Sequence, residues 1–286
     1  MKKILVPIDF SQNAKNAFWV AAEVAHRSGA VLELLHVNLA SIYSAPLSEY
    51  VAVTSYAVDD EKYDESATIQ LEKLKMELLA DPRYASLAVN IRVEDGYLHR
   101  SVRKVVNEDN VDLVVMGTKG SSGISEFLVG SNTEKVIRTA PCPVLAVPEN
   151  IGKFSPKIVL LPSTLKNDQK GVFFYLAKWE KMFGFLVKVL YLNNPSSLPT
   201  DGSAESRKNR LAEAAGLEKT DVIMTTESFF EDTSILSTSD QCNADMIVMA
   251  THQRQGLSHL LFGSITEDTV NHTHIPVLAV PVGWQE

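Results

Sequence analysis

The chain has 286 residues, 45% of them hydrophobic and 22% charged, with a formal net charge of -8. That apolar content suits two packed domains of ordinary size and is too high for a disordered chain. An acidic balance without a dense Lys/Arg cluster argues against nucleic acid as a main partner, and no apolar run is long enough to span a bilayer, so no membrane association is expected.

The N-terminus, MKKILVPIDFSQNA, has the lysines and short apolar run of a signal peptide, but the run breaks at Pro7 and Asp9 with no cleavage-like site. The two cysteines, Cys142 and Cys242, stand far apart with no CxxC spacing and read as buried small hydrophobes. A cytoplasmic location is expected.

KILVPI is a predicted strand. NAKNAFWVAAEVAHRSG has apolar residues at helical spacing, Ser11 as its N-terminal cap and Gly29 as its stop. AVLELLHV is the second strand, followed by a long irregular stretch over residues 38–62. ESATIQLEKLKMELLA reads as a helix stopped at Asp81-Pro82. LAVNIRV alternates as a strand, YLHRSVRKVVNEDN is helical, VDLVVM is a fully buried strand, a helix covers about 131–139, and PVLAVP closes the half as a strand.

The same order then recurs. KKILVPIDFS matches PKIVLLPSTL at 156–165, Gly29 with its strand matches Gly184 with FLVKVLYLN, VDLVVMGT matches ADMIVMAT, and APCPVLAVP matches THIPVLAVP. The polar connector ENIGKFSP divides the chain into domains 1–150 and 151–286. The second half is shorter, mostly between its second and third strands. Strands alternating with helices predict an α/β class: two tandem domains, each a five-stranded parallel sheet with helices on both faces.

One stretch suggests chemistry. GTKGSSGISEFLVGS, residues 117–131, follows VDLVVM directly and so lies at the carboxyl edge of the predicted sheet, where such folds bind ligands. Glycine lets main chain approach a ligand, and free N–H groups leading to a helix start form an anion site. Neither GxxxxGK[ST] nor a GxGxxG after the first strand is present, so the two common phosphate motifs are absent. Spacing alone leaves two readings open: a phosphate cradle, or a glycine-containing turn without a ligand. Ser131-Asn132-Thr133-Glu134 fits a capping box, as does Ser264-Ile265-Thr266-Glu267.

The pattern Gly117-x2-Gly120-x9-Gly130-Ser131, with VPIDFS, LLHV, DLVVMG and APCPVLAV, resembles the universal stress protein family, and in particular its ATP-binding signature. The resemblance implies a Rossmann-like fold of the adenine nucleotide alpha hydrolase kind, and ATP or a related adenine nucleotide as ligand, with magnesium as an accompanying ion. It implicates Pro7, Ile8, Asp9, Val37, Met116, Gly117, Gly120, Gly130, Ser131 and Asn132. Asp9 and the end of the second strand would hold the base, and the glycines with Ser131 the phosphates and ribose. A carboxylate facing an adenine amino group is chemically apt, since it only accepts. Lys119, beside the second glycine, reads as a phosphate partner or a solvated loop lysine.

In the second half Ser163 stands for Asp9, Ala250 for Gly117 and Gln253 for Gly120, so that half is expected not to hold ATP in the family manner. Family members commonly dimerise through their last strands. The two PVLAVP segments are therefore expected to form an internal pseudo-dimer, with a homodimer of whole chains as a further assembly. Covering an apolar edge strand has a physical motive. His252, His259, His272 and His274 crowd the C-terminal region, but helix-end placement explains the last two better than zinc. The run Asp59-Asp60-Glu61 with Asp64-Glu65 reads as a solvated loop and helix start. No catalytic set is evident and no GxSxG elbow surrounds Ser121 and Ser122. An ATP-binding regulatory protein is the leading expectation. A non-nucleotide interaction module, using the segment with Tyr43, Tyr50 and Tyr56, and a slow ATPase are the alternatives.

Overall fold

The structure, a computed structural model, describes residues 1–38, 60–118, 130–149, 151–192, 203–224, 231–251 and 262–284. In the first half the elements are β1 (Lys3–Pro7), α1 (Gln12–Ser28), β2 (Val31–Asn38), α2 (Asp60–Leu79), β3 (Val89–Asp95), α3 (Leu98–Asp109), β4 (Leu113–Gly117), α4 (Ser131–Thr139) and β5 (Val144–Val147). The second half has β6 (Ile158–Ser163), a 3-10 turn (Asn167–Gln169), α5 (Lys170–Phe183), β7 (Leu186–Tyr191), α6 (Ala204–Ala215), β8 (Thr220–Met224), α7 (Glu231–Gln241), β9 (Met246–Thr251), α8 (Phe262–His272) and β10 (Val277–Pro281).

The strands form one ten-stranded sheet in the order β3-β2-β1-β4-β5-β10-β9-β6-β7-β8. Within each half every pairing is parallel, and the halves meet where β10 runs antiparallel to β5. The two PVLAVP segments do pair within the chain. Leu278 lies opposite Leu145, its own counterpart in the repeat, so the register centres a pseudo-two-fold axis there. Each of these strands has a neighbour on both sides, which leaves neither an open edge.

Alternate residues of the buried strands feed two separate cores. Ile4, Val6, Leu32, Leu34, Leu113 and Val115 pack on the α1, α2 and α5 side. Leu5, Leu35, Val114 and Met116 pack on the α3 and α4 side. This is why the strands read as continuous apolar runs: both faces are covered by helices. α1 stops at Gly29 in the left-handed conformation (φ 70), and α5 stops at Gly184 in the same way (φ 74), as the sequence predicts. The shortening of the second half falls at α6, with 12 residues against 20 in α2.

Contacts beyond the strand pair fasten the halves. On one face the Arg27 guanidinium lies 4.7 Å from the Phe183 ring centre and donates to the Met182 carbonyl at 3.1 Å. On the other, Arg138 Nε donates to Glu267 Oε1 at 3.1 Å. The connector is anchored, because Phe154 is buried edge-on against Trp179 and Phe183.

Strand pairing corrects the internal alignment by one residue. Lys2 and Lys3 N–H groups both bond the Asp112 carboxylate, and Lys157 and Ile158 bond Asp245 in the same way. Ile4 pairs with Leu113 as Val159 pairs with Met246. Pro7 therefore corresponds to Pro162, Asp9 to Thr164 rather than Ser163, and Phe10 to Leu165. The backbone agrees: Phe10 (φ 63) and Leu165 (φ 56) both adopt the left-handed conformation. A strained corner shared by both halves belongs to the strand-to-helix turn of the fold rather than to a ligand site.

Candidate functional site

The order β3-β2-β1-β4-β5 reverses direction between β1 and β4, so a crevice opens between the carboxyl ends of those strands. Most of the expected site residues gather there. Pro7, buried, ends β1, buried Ile8 comes directly after it, and Asp9 follows exposed. Val37, half-buried, is the penultimate residue of β2. Met116 and Gly117 end β4 across the crevice from β1. Gly130 caps α4, and Ser131 and Asn132 are its exposed first two residues. Gly120 lies outside the described residues, as do Lys119, Ser121 and Ser122.

Asp9 shapes the turn into α1. Its Oδ1 accepts the Ser11 N–H at 3.0 Å, and Ser11 then caps the helix by accepting the Ala14 N–H at 3.2 Å. Beside it the His36 ring meets Phe10 at 4.8 Å between centres, and His36 Nδ1 lies 2.7 Å from the Ile8 carbonyl oxygen. That distance requires the ring nitrogen to donate, because the carbonyl can only accept.

The glycine at the end of β4 has a different reason from the one its sequence suggests. A Cβ on Gly117 would stand 2.9 Å from both the carbonyl carbon and oxygen of Asn13. The first turn of α1 occupies the space, so this glycine admits backbone of the protein itself. Asn13 in turn donates from Nδ2 to Glu149 Oε1 at 3.1 Å, which ties α1 to the residues after β5. In the second half, where Ala250 replaces Gly117, the matching helix opens with a 3-10 turn and becomes α-helical only at Lys170.

The start of α4 is lashed to β4. Gly130 N–H donates to the Thr118 carbonyl at 2.7 Å, and Thr133 Oγ1 donates to the Gly117 carbonyl at 2.9 Å. Thr118 N–H continues the lattice to the Val147 carbonyl at 3.0 Å. The expected capping box is not formed. Gly130, not Ser131, is the cap, its carbonyl takes the Thr133 and Glu134 N–H groups, and Glu134 pairs with Arg138. Ser131 is displaced because the preceding glycine can enter the helix without a side chain. Downstream, α8 begins at Phe262, so Ser264 is already inside the helix and does not cap it either. The N–H groups of Ser131 and Asn132 have no intrahelical acceptor, as at any helix start. With no acidic side chain in the first two positions, they fit an anionic group.

In the second half the end of β6 is filled by its own side chains. Ser163 is buried, donates to Gln169 Oε1 at 2.6 Å and accepts the Leu165 N–H at 2.9 Å. Thr118, Thr133, Asn13, Glu149 and His36 complete the first-half lattice and were not marked by sequence reading. Thr118 lies in the glycine stretch, His36 in LLHV and Thr133 in the false capping box, but none of these patterns marks the bonds the residues make. Gln253, His252 and His259 lie outside the described residues, as do Tyr43, Tyr50 and Tyr56. Among the described residues no group of three or more His, Cys, Asp and Glu could hold a metal ion, and no helix is long and apolar enough to cross a membrane. His272 ends α8 with Nδ1 2.8 Å from the Asp268 carbonyl. Cys142 and Cys242 are buried and unpaired in any disulfide.

Comparison with known proteins agrees with this geometry. The sequence matches the universal stress protein family over residues 1–148 and 187–281. A protein of Staphylococcus haemolyticus that carries the universal stress protein name is 34% identical over 148 residues, covering 51% of this chain and 84% of its own. A Staphylococcus aureus relative of the same name is 34% identical over 154 residues, covering 51% and 83%. A universal stress protein structure from Archaeoglobus fulgidus superposes with a TM-score of 0.72 over 98% of both chains, at 18% identity, a likeness of fold. Two family segments in one continuous sheet make this chain a tandem member of the universal stress protein family.

Proposed function

We propose that this protein binds ATP or a related adenine nucleotide at the carboxyl edge of its first half and acts in stress regulation by binding rather than turnover. One observation carries the reading: the Asp9 turn and the open start of α4 flank the point where strand order reverses. In this reading Asp9 and the end of β2 at Val37 receive the base. Pro7, Ile8 and Met116 form the walls with their backbone, since their side chains are turned into the protein. The N–H groups of Ser131 and Asn132, with the Gly120 loop, take the phosphates. Magnesium would accompany the phosphates and neutralise their charge.

The second half, residues 151–286 in this division, is a structural partner. Its buried Ser163–Gln169 pair supports that role, because it uses polar groups that a base would otherwise meet. A cytoplasmic location belongs to the same proposal. It is supported by two buried thiols, which suit a reducing compartment.

The test is mass spectrometry of nucleotide released from the denatured protein, followed by ATP titration of Asp9→Ala and Gly120→Gln. A single adenine nucleotide per chain is expected, with affinity falling at least about tenfold in either variant. No released nucleotide together with a flat ATP titration would overturn the proposal in favour of an interaction module.

A further inference from the structure

The second half keeps a buried arginine that its surroundings leave unanswered. α6 starts at its cap Ser203, whose hydroxyl accepts the Ser206 N–H at 3.2 Å. Arg207 stands one turn further on. Helical side chains lean toward the N-terminus, so its guanidinium lies near the positive end of the helix. The guanidinium carbon is 5.0 Å from the centre of the Tyr191 ring, and Tyr191 is the last residue of β7, on the carboxyl edge of this half. Arg207 is only 7% exposed, and among the described residues nothing accepts a hydrogen bond from its Nε.

The Tyr191 face offsets part of the charge but supplies no lone pair. The neighbouring Lys208 is also buried, and its ammonium meets Glu205 Oε1 at 2.8 Å, a carboxylate that is itself 59% exposed. Among the described residues, these two buried cations at the helix start are matched by one ion-paired acid, the solvated Glu205 beside Lys208. A desolvated guanidinium with an unused N–H is costly to maintain, and its planar fork matches carboxylate and phosphate oxygens. The first half differs here: His36 holds the position of Tyr191 and is bonded to Ile8.

We propose that the carboxyl edge of the second half is an oxyanion site centred on Arg207, for a small ligand bearing a phosphate or carboxylate group. The site does not depend on nucleotide binding by the first half. Its chemistry differs from that half's, because the cation stands at the end of the second strand of the repeat rather than beside a glycine loop.

The experiment follows the Arg207 Nε–H resonance of the full chain by NMR, with inorganic phosphate and succinate as probes and Arg207→Met to assign the signal. The signal should move saturably with one of them, at a half-saturation below about 1 mM. Movement with phosphate alone identifies a phosphate ligand, and movement with succinate alone a carboxylate. In calorimetric titration of the full chain with the same probe, Arg207→Lys, which keeps the charge without the Nε–H, should bind at least about tenfold more weakly. Asp9→Ala should leave the response unchanged. A signal that neither probe moves at millimolar concentration overturns the proposal, as does a calorimetric affinity that Arg207→Lys retains in full.

Discussion

Replacing Gly117 with Ala tests whether this glycine serves packing. In most settings Gly→Ala stabilises a protein by about 0.4–1 kcal/mol, because it restricts the unfolded chain. Gly117 is not in the left-handed region, so conformation alone would allow the gain. The packing reverses the sign. The new Cβ would sit 2.9 Å from the carbonyl carbon and oxygen of Asn13, and neither atom can rotate aside. The α1 start must retreat by several tenths of an ångström. It is held there by the Ser11 cap on Ala14 and by the 3.1 Å bond from Asn13 to Glu149, both of which would stretch. Overpacking of this kind costs about 1–3 kcal/mol. Urea unfolding followed by circular dichroism should show a lower midpoint at unchanged slope. Ala250→Gly, at the equivalent place in the second half, relieves no such contact and should cost about 0.5–1 kcal/mol from chain entropy alone. A Gly117→Ala protein as stable as the parent, or more so, would refute the packing argument.

Glu23 supplies a pH dependence. Burial pushes its carboxyl up, but the Arg27 and Tyr84 hydrogen bonds and the Arg27 charge outweigh it, leaving the group below its ordinary value of 4.5. A depressed carboxylate stabilises the fold above its unfolded pKa, and that contribution is lost as pH falls through the folded one. The urea midpoint should therefore fall on acidification below about pH 4.5, less steeply in Glu23→Gln. Leu278→Ala, at the fully buried centre of the β5–β10 pair, should cost about 2–5 kcal/mol by calorimetry. Arg138→Ala removes a bridge between half-exposed side chains and should cost less than about 1 kcal/mol. Burial pushes the Cys142 thiol up to about 12, so it should resist alkylation at pH 8 until denaturant is added.

Most elements were legible because each carried a local signal: the apolar runs of β1 and β4, Gly29 and Gly184 as helix stops, the helical spacing of α1. The repeat order was legible for the same reason, and the pairing of the two PVLAVP segments followed from the family resemblance. The one-residue slip between the halves came from strands covered on both faces. Such a strand has no alternation, and KILVP slides along KIVLLP with little change of residue type. The matched prolines Pro7 and Pro162 carried the correct register. At the site, the β4 end was readable from the apolar run before it and Asp9 through the family resemblance, but the reason for Gly117 was not. The atoms that require it belong to Asn13, remote in sequence and brought in only by the packing of α1. The false capping box at Ser131 shows the converse case, in which a correct four-residue pattern is displaced because Gly130, one residue earlier, already serves as the cap.

The antiparallel junction of β5 and β10 has a consequence for signalling. Because every other pairing within a half is parallel, the strands of one half point opposite to those of the other. Their carboxyl edges open on opposite rims of the sheet. Ligands at the two edges would stand on opposite rims, joined through the central strand pair and the flanking Arg27–Met182 and Arg138–Glu267 contacts as two ends of a common beam.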